Sequence, residues 1–378
     1  MVTKSKEPVI VVLQLSGGND YFNTVIPYND SNYYDNRRSL SIPEADMLAI
    51  DTEYALHPSM SPMRDIYKKG NMAIIHGIGY ANSPRSHFRS MDIWHTAEPD
   101  KVGTEGWLGR AIRELDPEGE NPVTAVNIGQ GLPRALVTPG VSVASVADLS
   151  TYGLLTSVEQ DQVREKMLTR FSNMYGAALG SGPVLDYLGQ TGIDALNGAD
   201  ILKVAPDIYE SNVEYADNSI AKNLRDVATI HKANLGTKVF YTQHGSFDTH
   251  AAQAPTHAQL WQEVSAAIQD FWDDLEETGH DENVVMFLFS EFGRRVRDNG
   301  SGTDHGSGGG AFLIGDRVRG GLYGQYPSLE FDQLANGEDL GFNVDFRSVY
   351  TTLLEQWMGL DAVPLVNGKY DQLNPFLN

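Results

Sequence analysis

The chain reads as an α/β protein, a doubly wound and mostly parallel sheet with helices on both faces. Two observations predict this. Short β-rich apolar runs recur, unbroken rather than alternating, as strands buried on both faces require. Each run is followed by a loop and then, in most cases, by helical periodicity, the sequence pattern of a doubly wound sheet.

The runs are PVIVVLQL (8–15), NMAIIHGIG (71–79), VTAVNIG (123–129), TKVFYTQ (237–243), NVVMFLFS (283–290) and AFLIG (311–315). Between 259 and 275, Leu260, Val264, Ile268, Phe271 and Leu275 fall at spacings of four and three, the stripe of a helix lying on a sheet. Tyr350, Leu353, Leu354 and Trp357 repeat it near the end of the chain. The stretch from about 150 to 235 is helix-like without an evident strand, so it reads as a helical insertion in one α/β domain spanning residues 1–378. There is no convincing repeat, low-complexity tract or proline-rich linker.

Composition narrows the functions. With 378 residues and 41% hydrophobic content, a buried core is affordable. Fifty acidic against 28 basic residues give a net charge of −22, a field that repels nucleic acid and anionic membrane surfaces. No cysteine is present, so disulfides, thiolate ligands and a thiol nucleophile are excluded. A metal would have to use Asp, Glu, His or backbone oxygen. The start, MVTKSKEPVIVVLQL, is too short for a membrane span and has no cleavage site, which reads as a first strand in a chain without an export signal, cytoplasmic as written.

Chemistry-bearing residues cluster just beyond the runs. SGGNDYFN carries Asp20, HGSFDTH carries Asp248 and His250, and SEFGRR carries Glu291 and Arg294, followed by GTDHG with Asp304 and His305. Ligands of open α/β sheets bind outside the carboxyl ends of the strands, so these segments are expected to converge. Carboxylates and imidazoles drawn from several strand ends point to a metal site, and a glycine-rich loop lets backbone approach a ligand closely. Taken singly, Asp20 also suits a turn, Asp248 a helix cap and Asp304 a self-bonded loop.

NSPRSHF has its own logic. Ser83 before Pro84 matches a helix cap with proline at the first position, which puts Ser86 in the first turn, where free N–H groups favour an anion or alkoxide. Ser86 is the candidate nucleophile and Ser83 its rival. His87 reads as a base or as a packed histidine, with packing favoured.

Together VVLQLSGGNDYFNTVIPYND, RSHFRSMDIWHT, SFDTH, SEFGRRV, GTDHG and DFRSVYTTLLEQW resemble the bacterial family called domain of unknown function 1501, over nearly the whole chain. That family resembles the alkaline phosphatase and sulfatase superfamily. The resemblance implies a metal ligand at Asp20, a nucleophile at Ser86, and further ligands at Asp248, His250 and His305. One departure stands out: superfamily members often have Asp-His-Gly where this chain has Glu291-Phe292-Gly293, which implies an oxygen-rich second position or one metal only. A formylglycine sulfatase is disfavoured.

The function this implies is a metal-dependent hydrolase of phosphate or sulfate esters. It would use one or two divalent ions (Zn, Mg, Ca or Mn), with Arg85 and Arg294 clamping the anion of a small-molecule ester. The alternatives are a catalytically degenerate metal- or anion-binding protein and a metal-dependent phosphomutase. Members of the family are often exported by the twin-arginine route.

Overall fold

The computed structural model describes residues 6–152, 161–176, 179 and 182–377. The predicted runs all form strands: β1 (Val9–Leu15), β2 (Met72–Gly79), β3 (Ala125–Ile128), β5 (Val239–His244), β6 (Val284–Phe289) and β7 (Gly309–Ile314). Six short strands among the described residues escaped the sequence reading: β4 (Ala144–Val146), β8 (Gly321–Tyr323) and β9 (Val344–Asp345) of the main sheet, and Val25–Ile26, Leu48–Ala49 and Ala55–Leu56, which form a small separate sheet. Two or three residues carry too little pattern to separate a strand from a loop.

The nine numbered strands form one sheet in the order β8-β2-β7-β6-β1-β5-β3-β4, with β9 paired to β2. Pairing is parallel except at β7, which runs antiparallel to both β2 and β6. The carboxyl ends of β1, β2, β5 and β6 therefore lie along one edge, and the amino end of β7 joins them. That edge is where the polar segments sit.

Helices cover both faces, as the continuous apolar runs require. Val9, Val11, Leu13 and Leu15 of β1 face a core shared with α1 (Ser61–Lys69), α6 (Ser219–Lys232) and α7 (Gln253–Glu276). Ile10 and Val12 face the opposite core, shared with α2 (His87–Thr96), α3 (Trp107–Leu115) and α8 (Phe346–Thr352). The predicted stripe on α7, from Leu260 to Leu275, is buried throughout; each such side chain contributes roughly 1.5–3 kcal/mol on leaving water.

Between β4 and β5 the described chain is helical, with α4 (Asp161–Gly176) and α5 (Pro183–Leu202) before α6. Parts of the predicted insertion, residues 153–160, 177–178 and 180–181, lie outside the described residues. Its last helix, α6, lies in the central core through Ile220, Leu224 and Val227. No helix among the described residues is long and apolar enough to cross a membrane.

Candidate metal centre

Close backbone approach builds the centre. Gly17 follows β1 with φ +123°, and a Cβ there would stand 2.4 Å from the Asp248 nitrogen, so only glycine lets the β1 and β5 loops touch. A Cβ on Gly302 would meet the His250 backbone at 2.3 Å, which fixes the β6–β7 loop against the same segment.

Three imidazoles then meet. His305 Nε2 lies 3.0 Å from His87 Nε2 and 2.9 Å from His250 Nε2. The Asp248 carboxylate joins them, with Oδ1 3.1 Å from both His250 Nε2 and His305 Nε2, and Oδ2 3.5 Å from His87 Nε2. Donor atoms of His87, Asp248 and His305 all stand within 4.8 Å of one another.

The opposite ring nitrogens explain why these atoms face inward. His87 Nδ1 bonds Glu291 Oε1 at 2.7 Å, and His250 Nδ1 bonds Asp304 Oδ1 at 3.2 Å. His305 Nδ1 donates to the Arg85 carbonyl at 2.9 Å. A carbonyl oxygen only accepts, so the His305 proton sits on Nδ1 and its Nε2 presents a lone pair; carboxylate partners favour the same tautomer at the other two. Lone pairs facing one another at 3 Å repel unless a cation or proton lies between them. Ligands of a tetrahedral ion with ordinary Zn–N bonds stand about 3.3 Å apart, so the set fits a cation with little adjustment. Metal-bound histidines characteristically use an acceptor on the far nitrogen in this way.

Electrostatics follow the same pattern. Partial burial pushes the Asp248 carboxyl up, but the hydrogen bond and charge of Arg294 count among the effects that outweigh it and hold it at about 2. The Glu291 hydrogen bond raises His87 against the opposing effect of burial. Phe292 is buried, its ring 4.8 Å from that of His87 and 5.1 Å from that of His305, and it walls the imidazoles from the interior.

The structure thus brings Asp248, His250 and His305 together and gives other candidates different work. Asp20 is committed to an ion pair. It is fully buried and forked by Arg37, at 2.7 Å from Nη2 and 2.5 Å from Nη1, with Gln253 as a further donor, so its oxygens are taken. Glu291, 2% exposed, accepts from Gly17 N at 2.9 Å and from His87, so it orients the His87 ring. Asp304 does the same for His250. The oxygen-rich second position expected at Glu291 is accordingly not assembled among the described residues.

Both arginines are engaged elsewhere. Arg294 is fully buried and donates to the carbonyls of Gly18, Thr303, Phe247 and Gly17 and to Asp248 Oδ1, so it braces the loops instead of clamping an anion. Arg85 turns to Asp339, with Nε 2.8 Å from Oδ2. Its backbone has φ +52°, a conformation unfavourable for a side-chain-bearing residue, at the residue whose carbonyl holds His305.

That kink delays the helix. α2 begins at His87, three residues later than the Ser83-Pro84 signal implies, and Ser86 stands at the N-cap with a hydroxyl that makes no capping bond. Ser83 is not the cap; its Oγ is buried without a partner among the described residues.

His87 is the residue that sequence reasoning undervalued. The available signal was its position at the end of β2, the same edge as every other candidate. A cavity of about 450 Å³ opens beside the centre, with His87, Asp248 and Glu291 in its wall together with Ser16 and Ser246; Ser86 is not part of that wall.

Comparison with known proteins finds similar solved structures and one matching family. Solved structures similar to the chain include a protein in the alkaline phosphatase superfamily from Vibrio parahaemolyticus, at 9% identity and a TM-score of 0.44, covering 97% of this chain and 69% of the other. The sulfatase PsFucS1 from Pseudoalteromonas sp. matches at 13% identity and 0.44, covering 98% and 71%. The phosphonate monoester hydrolase of Agrobacterium radiobacter matches at 10% identity and 0.39, covering 96% and 78%. No curated protein matches the sequence. Residues 204–368, which supply Asp248, His250, Glu291 and His305, match the family described as protein of unknown function DUF1501.

Proposed function

We propose that the chain is a metal-dependent hydrolase of phosphate or sulfate esters, working at His87, Asp248, His250 and His305. The observation that carries the reading is the convergence of three Nε2 atoms on one carboxylate while every Nδ1 is held by an oxygen acceptor. A bound divalent ion of the kind that takes imidazole nitrogen, Zn²⁺ foremost, would polarise the ester and lower the pKa of a nearby hydroxyl.

The chain's own residues supply the rest. Asp248 keeps its charge to low pH, and Arg294 fixes its position. Glu291 and Asp304 hold the imidazole tautomers, and Phe292 keeps water from the inner side. Ser86, next in sequence to His87, offers a hydroxyl that the helix cap leaves unused.

One observation favours a second reading, a metal-binding protein without turnover. Both candidate arginines are tied up, Arg294 on carbonyls and Asp248 and Arg85 on Asp339. Elemental analysis of the purified chain, combined with a panel of chromogenic phosphate and sulfate esters, separates the two. Bound metal with hydrolysis, abolished in Ser86→Ala while the metal stays, supports the hydrolase with Ser86 as nucleophile. Unchanged rates in that variant but loss in Ser246→Ala would move the nucleophile to the cavity wall, and metal without any hydrolysis would favour the binding protein.

A further inference from the structure

We propose that the cavity beside the metal centre receives the alcohol half of the ester, and that this half is a flat apolar ring seated on Phe88 and Met91 of α2 with its far end toward His95. The proposal rests on the hydrolase reading and deepens it.

Helical spacing aligns the wall. His87, Met91 and His95 are four residues apart on α2 and therefore share one face, and with Phe88 they line the cavity that begins at His87 and Asp248. A ring bound there would lead directly away from the ion. A cavity of about 450 Å³ is within the usual range for a small organic ligand.

Beyond the ion, the wall's charges are already matched. Arg134 bonds Asp92 and the Gly103 carbonyl, and Asp92 also receives Arg89, so a charged alcohol half would find no free partner. His95 Nε2 lies 3.2 Å from Gln14 Oε1 and 3.1 Å from Tyr241 Oη, and burial lowers the imidazole to about 4. Gln14 is the only polar side chain in β1, and it is held by this set, with its amide reaching Ser16 and Met91.

Phe88 is the least explained by folding. Its side chain is 92% exposed beside a ligand histidine, whereas Phe22, Phe240, Phe247 and Phe271 are fully buried. An exposed aromatic residue at the rim of a cleft is a contact in search of a ligand.

The test uses the full chain and two readouts. With metal bound, the ratio of kcat/KM for a 2-naphthyl ester over the ethyl ester of the same acid is measured in the parent, Phe88→Ala and Met91→Ala. The ratio should fall roughly tenfold in each variant, and an unchanged ratio overturns the proposal. With metal stripped, binding of 2-naphthol is followed by its fluorescence. Saturable binding that both substitutions weaken supports the pocket even where no ester is hydrolysed, in which case only the hydrolase reading falls. Binding indifferent to both substitutions sinks the pocket, as does sedimentation showing that Phe88→Ala turns a dimer into a monomer.

Discussion

Asp20 and Arg37 pair in the interior, both side chains fully buried and joined by two hydrogen bonds. Burial pushes the Asp20 carboxyl up, and the Arg37 charge and hydrogen bond more than reverse it, leaving it lowered. Removing one partner of such a pair strands the other charge, at a cost of about 3–5 kcal/mol. Asp20→Asn should therefore lower the urea midpoint sharply while leaving the metal stoichiometry unchanged, and equal loss of metal would return Asp20 to the ligand set. The sequence reveals residue types at strand ends, which is why Asp248, His250 and His305 were legible. It does not reveal partners. Arg37, which occupies Asp20, lies 17 residues away in a stretch without a motif, and the carbonyls that occupy Arg294 belong to backbone. From sequence His87 reads as packed, because a lone histidine next to a phenylalanine is a weak signal, yet that phenylalanine is exposed.

Among the elements, strands of four residues or more were legible because unbroken apolar runs have one common explanation. The start of α2 was not, since Ser-Pro is a cap signal that the left-handed Arg85 overrides. The surface-ward side of α6 carries a testable strain. Burial raises Asp226 to about 6, the Leu149 N–H opposing and Asp148 adding to the rise. A carboxyl near 3.8 when unfolded and near 6 when folded favours the folded state below pH 3.8 and loses that advantage as pH climbs through 6. Asp226→Asn should therefore raise stability at pH 7.5 by roughly 2 kcal/mol, seen as a higher Tm, and the gain should vanish by pH 4. A gain that persists in acid would assign it to packing instead.

At the scale of the whole molecule, the parallel register that gathers β1, β2, β5 and β6 at one edge is what allows distant segments to form one centre. The same burial sets the acid limit of the fold. Desolvation lowers His57 to about 3 and His76, His231 and His257 to about 4. Unfolded histidines titrate near 6.5, so the unfolded chain takes up protons first, and stability present above pH 6.5 is lost as pH falls toward 4. Denaturant midpoints should decline through that window with the slope of several protons, and a flat profile from pH 7 to 4.5 would place these imidazoles in water.

The convergence of His87, Asp248, His250 and His305 is tested most directly by zinc titration with elemental analysis of the chain and of His305→Ala. The account predicts about one ion per parent chain and at least roughly hundredfold weaker binding in the variant, with far-UV circular dichroism unchanged. Equal affinity in both proteins, or no retained ion in the parent, would contradict it.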